Sequence, residues 1–290
     1  MKKRTWLYLL LIVLCLVVFL CYRAAKRLGT DTKAPQINIS TDVHQVSVQD
    51  AADVLLQGVA AKDDTDGDVT DSLVVESVRL TDSEGNATVS YAAFDRAGNV
   101  AKASRQVQYT DYRSPRFSLN RPLAFPQNTS VDVLSCIYAA DLLDGDITRR
   151  IRANVLTEES VSDLGTHDVE FRVTNSMGDT VTLVLPVEVY TAGAYQAHVS
   201  LTDYLIYLPV GATFNSKDYL SDFSMGNETT SLCNRLPNGF SLQTAGTVDT
   251  NMPGVYSVGY TVTYTVPNTG NSRESRSYSG YSKLIVVVED

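Results

Sequence analysis

"DDTDGDVT", Asp63 to Thr70, crowds acids and hydroxyls around one glycine, and "DLLDGDIT", Asp141 to Thr148, does nearly the same 78 residues later. Ala61, Asp63, Asp66, Gly67, Asp68 and Thr70 match Ala139, Asp141, Asp144, Gly145, Asp146 and Thr148, and Val69 stands opposite Ile147. The match extends outward from this corner. "ATVSYAAFDRAGNVAKASRQVQY" aligns with "HDVEFRVTNSMGDTVTLVLPVEVY", setting Tyr91 on Phe171 and the turn Gly98-Asn99 on Gly178-Asp179. Upstream, "KAPQINIS" from Lys33 and "SPRFSLN" from Ser114 each lead from a proline into an alternating strand. A self-match sustained at a spacing of about 80 residues marks a repeated structural unit.

A third, more degenerate copy follows. "PGVYSVGYTVTYTV" from Pro253 lies over "LGTHDVEFRVT" from Leu164, placing Gly254 on Gly165 and Tyr260 on Phe171, and this copy lacks the DGD corner. It starts at "AHVSLTDYLIYLPVGATF", after the small-residue break Thr191 to Ala194. In all three copies short Val, Ile, Thr and Tyr runs alternate and are punctuated by Gly, Asn, Asp and Pro, which is the period of half-buried strands. Several such strands in about 80 residues predict a small β-sandwich. The expected fold is all-β: three tandem immunoglobulin-like domains, at 34–110, 111–191 and 192–290, behind one N-terminal transmembrane helix.

The order of a proline-led strand, an "A.D..DGD(V/I)T" corner, a "G.Y.V.Y.V" strand and a "D.AGN" hairpin resembles the bacterial surface immunoglobulin-like repeats, relatives of the hyalin repeat that also occur in insecticidal crystal toxins. The likeness runs from about Ala34 to the C-terminus, fullest in the first copy and partial in the third. It implies export, and so modules outside the cytoplasm.

The N-terminus reads "MKKRTWLYLLLIVLCLVVFLCYRAAKR", with an uncharged apolar run from Thr5 to Tyr22. At 1.5 Å per residue that run approaches the ~30 Å hydrocarbon thickness. Bulky Phe19 and Leu20 before Cys21 fit a cleavage site poorly. The expectation is an uncleaved signal-anchor at 5–22, a short cytoplasmic tail at 1–4, a linker at 23–33, and a single-pass cell-membrane protein with its C-terminal modules extracellular.

The formal charge is −9, but six of the 24 bases fall within the first 27 residues, where there is no acid. The remainder sets 18 bases against 33 acids, a formal charge of −15. Such a surface repels nucleic acid, which is excluded as a partner. Cys136 and Cys233 lie in different copies, so neither a disulfide framework nor a cysteine metal cluster is expected.

The acidic corner admits two readings. Calcium takes six to eight oxygens, and Asp63, Asp64, Asp66 and Asp68 are the candidate ligands. Against this, the second copy has Leu142 and Leu143 where the first has Asp64 and Thr65, while the Asp, Asp, Gly, Asp and Thr frame persists. Aspartate and threonine side chains also cap turns, and glycine supplies a positive φ, so the frame reads first as a sandwich corner and second as a metal site. No other cofactor is expected.

Nothing in the sequence assembles a catalytic constellation. His44, His167 and His198 fall in three different copies, no GxSxG occurs, and the pair Glu158-Glu159 points to opposite faces if it lies on a strand. The expectation is a non-enzymatic protein displaying a recognition or adhesion surface to a protein or carbohydrate ligand, with a structural spacer as the alternative. From Tyr195 onward the third copy holds nine of the 16 tyrosines. Alternation assigns Tyr256, Tyr260 and Tyr264 to the core. Tyr204, Tyr207, Tyr278 and Tyr281 remain as candidate ligand contacts, since tyrosine is enriched at binding surfaces.

Overall fold

The computed structural model describes residues 2–28, 31–40, 44–50, 52–156, 160–233, 235–266 and 276–289. The pair Glu158-Glu159 lies outside them. Beyond one N-terminal helix, Lys2–Leu28, and a few short 3-10 turns, the regular structure is β-strand throughout. The chain divides into two compact units, Met1–Tyr112 and Arg113–Asp290, so the second and third sequence copies share one unit.

The N-terminal helix exposes its described apolar side chains, among them Trp6, Tyr8 and Leu10 through Leu14. Among the described residues no helix is long and apolar enough to cross a membrane. This overturns the expected single-pass placement in a cell membrane.

In the first unit, strands Gln36–Ile39, Val59–Asp63 and Gly67–Asp68 form a three-stranded sheet in that order. The facing sheet runs His44–Val46, Val100–Tyr109, Asn86–Phe94, Val74–Leu80, its first pair parallel and the others antiparallel. Alternation decides the core. Along Asn86–Phe94, Ala87, Val89 and Tyr91 are all fully buried while their neighbours Thr88 and Ser90 lie half-buried on the other face. Burying Val89 stabilises by about 1.5–3 kcal/mol relative to exposure. Tyr91 carries a hydroxyl into that core and donates it to the Leu55 carbonyl at 2.8 Å. Arg105 donates to the Leu55 and Gln57 carbonyls, so the loop before Val59 ends in satisfied acceptors.

The second copy repeats this topology strand for strand. Arg116–Leu119, Ile137–Asp141 and Gly145–Asp146 make the small sheet, and Ala124–Pro126, Thr180–Tyr190, Gly165–Thr174 and Arg152–Val155 make the larger one. Phe171 is fully buried where the first copy buries Tyr91. The repeat read in the sequence is thus a repeat of topology.

The third copy departs from it. One seven-stranded sheet runs Glu228–Ser231, Leu220–Met225, Ala197–Leu201, Ser277–Glu289, Gly254–Thr265, Phe240–Ala245, with Leu205–Pro209 paired to the far end of Ser277–Glu289. That long strand is parallel to two segments in turn, meeting Ala197 at Gly280 and Leu205 at Ile285. From Ser282 to Val288 every residue is buried, whichever face it points to. Val258, Tyr260 and Val262 are buried and Tyr256 and Tyr264 pack half-buried against them, as the alternation requires.

Candidate functional site

The acidic corner is built the same way in both copies. Asp63 Oδ1 accepts from the Asp66 N–H at 2.9 Å, and Asp141 Oδ1 accepts from the Asp144 N–H at 2.6 Å. Gly67 and Gly145 follow with φ of 77° and 67°, a left-handed conformation that glycine adopts without Cβ strain. Asp68 and Asp146 then accept from the N–H of Thr70 and Thr148, and the hydroxyls of these threonines together with those N–H groups hold both carboxyls below the usual carboxylate range. Thr70 Oγ1 and Thr148 Oγ1 each accept from the alanine at the opposite strand, Ala61 and Ala139, at 3.1 Å. Asp66 and Asp144 reach across to accept from the N–H of Arg96 and Ser176, both at 2.8 Å. Every residue of the shared frame thus has a hydrogen-bonding or backbone role.

The four candidate ligands are not brought together. Asp64 is exposed and pairs with Lys33 at 3.2 Å, Asp66 pairs with Arg96, and exposed Asp68 is spent on Thr70. Asp63 alone points inward, 3% exposed. It meets two acids that the spacing argument missed: one carboxylate oxygen each from Asp31, Asp63 and Asp95 lie within 4.8 Å of one another. Asp31 comes from the segment expected to be linker, and Asp95 from the hairpin "DRAGN".

These carboxylates are held from behind. Asn99 donates its N–H to Asp95 Oδ1 and its amide to Asp95 Oδ2, and the same amide reaches the carbonyls of Asp31 and Lys33 at 3.1 and 3.0 Å. The Lys33 N–H and the Thr65 hydroxyl hold Asp31 below the usual carboxylate range. Asp63 Oδ2 and Asp31 Oδ2, by contrast, are buried and accept no hydrogen bond from the described residues. In the second copy Asn175 occupies the position of Asp95, and its amide donates to Asp141 Oδ2 at 2.9 Å. The exchange of Asp95…Asn99 for Asn175…Asp179 was the readable signal in the sequence.

The four candidate ligand tyrosines are occupied in packing. Tyr204 is buried, and its hydroxyl accepts from the Leu201 N–H. Tyr278 is half-buried against the core. Tyr207 lies under the Arg116 guanidinium, 4.5 Å from its ring centre, and accepts from the Phe117 N–H; burial pushes its phenol up. Tyr281 stacks on Tyr195 at 5.2 Å, Tyr190 meets Tyr195 edge-on at 5.1 Å, and the Tyr281 hydroxyl donates to Glu188 at 2.7 Å. Lys283, 4% exposed on its side chain, pairs with the same carboxylate at 3.3 Å. These contacts join the second and third copies.

The third copy carries a cleft of about 570 Å³. Leu220, Leu232, Leu236 and Leu242 line it beside Asn215, Lys217, Asp218 and Arg235. Asn215 caps the short turn Ser216–Tyr219 by accepting from the Lys217 N–H, which fixes the start of that wall.

No protein-family model matches the sequence, and no curated protein matches it. Among solved structures, the CBM51-2 and INT domains of Clostridium perfringens ZmpB, in complex with GlcNAc, align over 88% of this chain and 42% of theirs, at 12% identity and a TM-score of 0.22. Cadherin domains 1–5 of protocadherin gamma B2 align over 89% and 60%, at 10% identity and a TM-score of 0.21. Mouse cadherin-23 EC22–24 aligns over 89% and 99%, at 12% identity and a TM-score of 0.19. The chain spans less than half the length of the ZmpB structure.

Proposed function

We propose that the chain is a non-enzymatic binding or adhesion protein built from immunoglobulin-like repeats of the bacterial surface kind, and that its recognition surface is the cleft of the third copy. The observation that carries this reading is the cleft's size and chemistry. At about 570 Å³ it falls in the range of ligand sites, and it sets Lys217, Asp218 and Arg235 around an apolar floor. A protein segment or a carbohydrate suits such a lining. The histidines support a non-catalytic role, since His44 and His167 each commit Nε2 to a backbone carbonyl, Val54 and Asp163.

The test is a screen of the full chain on arrays of glycans and of peptides, repeated with Lys217→Ala combined with Arg235→Ala. A ligand bound by the parent and lost by the variant sustains the reading. Ligands held equally by both, or none on either array, count against the cleft.

A second reading, a spacer that sets distance, is favoured by the joint between the second and third copies. There Tyr281, Lys283 and Tyr207 are consumed in holding two modules together.

A further inference from the structure

We propose that Asp31, Asp63 and Asp95 form a calcium site that ties the segment before the first strand to the corner of the first unit. This stands independently of the cleft. The argument begins with an electrostatic imbalance. Three carboxylates converge within 4.8 Å, while the two basic side chains that form ion pairs in this corner, Lys33 and Arg96, are turned to Asp64 and Asp66. Like charges at this range repel, and in a partly buried setting solvent screens them poorly.

The orphaned oxygens point the same way. Asp63 is 3% exposed, yet its Oδ2 receives no hydrogen bond from the described residues, and neither does the buried Oδ2 of Asp31. A buried carboxylate oxygen left unmatched keeps its desolvation penalty, so such an atom calls for a positive partner. The second copy shows what satisfies the position without an ion: the Asn175 amide donates to Asp141 Oδ2. Asp95 cannot donate when ionised, and Asn99 has already committed its amide to Asp95 and to the carbonyls of Asp31 and Lys33. The first copy therefore has an amide's place filled by a third acid.

Hard oxygen donors select a hard cation. Oxygens up to 4.8 Å apart fit opposite sides of a sphere with ligand distances of about 2.4 Å, the calcium range, and are wide for magnesium at about 2.0–2.1 Å. Three carboxylates leave the remaining positions to water, which places the site among the weaker calcium modules, at about 10⁻⁴–10⁻³ M.

The experiment uses the full chain and the variant Asp63→Asn. This variant keeps the amide oxygen that the Thr65 and Asp66 N–H groups require and puts a donor where Oδ2 stood. Thermal unfolding is followed in millimolar calcium chloride, in the same concentration of magnesium chloride, and in chelator, beside calorimetric titration with calcium chloride. The parent is expected to bind one calcium and to raise the melting point of its first unit by about 5 °C, with a smaller response to magnesium. Asp63→Asn is expected to melt in chelator no lower than the parent and to ignore calcium. The proposal is overturned if the parent does not respond to calcium, if magnesium acts equally, or if the variant keeps the full calcium shift. Stability that rises on acidification but ignores calcium would show a shared proton in place of the ion, and would also overturn it.

Discussion

The Tyr281 hydroxyl donates to the Glu188 carboxylate at 2.7 Å, and Lys283 Nζ reaches the same carboxylate at 3.3 Å from the next-but-one residue of the same strand. Both side chains belong to the third copy and the acceptor to the second, so one carboxylate anchors two modules. Lys283 also donates to the Pro186 carbonyl, on the strand that carries Glu188.

Replacing Tyr281 by Phe removes a hydrogen bond to a charged acceptor and keeps the ring stacking. The expected loss is about 1–2 kcal/mol. In urea unfolding of the full chain this should lower the midpoint of the second unit's transition and leave the first unit's unchanged. Movement of both midpoints, or of neither, would refute the assignment.

Alkaline pH should unfold the protein. Burial raises the phenols of Tyr91, Tyr109, Tyr190, Tyr207, Tyr219, Tyr260 and Tyr281 above their ordinary value. A raised folded value means that the folded state holds protons which the unfolded state releases from about pH 10 upward. Their contribution is therefore complete below about pH 10 and is lost as pH climbs past it. Lys283 acts in the opposite sense: burial lowers it, against the pull of Glu188, so its penalty is relieved as pH rises towards about 10.4. With seven phenols against one ammonium, stability should fall. Near-ultraviolet circular dichroism should be lost as pH climbs past about 10, and a signal unchanged to about pH 12 would contradict this.

The two corners should respond alike to matched changes. Thr70→Val and Thr148→Val each remove the hydroxyl that accepts from the facing alanine N–H. Each should cost its own unit about 1–2 kcal/mol, measured from the two chemical unfolding transitions. Unequal costs would mean that the shared residues do different work in the two copies.

Acid should weaken both corners. Asp68 and Asp146 are held low by Thr70 and Thr148; burial pushes Asp144 up, but the hydroxyl and N–H of Ser176 and the Arg150 guanidinium outweigh it. Folded values below the unfolded ~3.9 give stability that is present above about pH 4 and lost as pH falls through the folded values. Asp144→Asn should flatten that acid limb for the second unit, a change readable in its melting point between about pH 2 and 5.

Much of the architecture was legible because a duplicated corner leaves duplicated letters. The DGD frame, the proline-led strands and the alternation around Tyr91 and Phe171 led to the all-β reading, and the parity of Tyr256 to Tyr264 placed those rings against the core. The acid cluster was not legible as a set. Asp31 and Asp95 each stand 32 residues from Asp63, and only the pairing of Gln36–Ile39 with Val59–Asp63 and the position of the Asp95 hairpin bring them together. Composition marks a tyrosine's capacity to bind and leaves open whether a neighbouring module has taken it, as the second copy has with Tyr207 and Tyr281. One signal was present and unread: the unbroken apolar run Leu284–Val288 in "KLIVVVED" is the mark of a strand covered on both faces.

Strand Ser277–Glu289 has a consequence for synthesis. Gly254–Thr265 pairs along one flank of it, and Ala197–Leu201 and Leu205–Pro209 share the other, so three earlier segments wait on the latest-made strand of their sheet. The two sheets of the first unit are complete once Tyr109 has emerged from the ribosome. Folding is therefore vectorial but staggered: the first unit can close early, while the third copy exposes unpaired edges for some eighty residues of elongation. That interval, at about 5–20 residues per second, is when a chaperone or a neighbouring nascent chain has its best access to the protein.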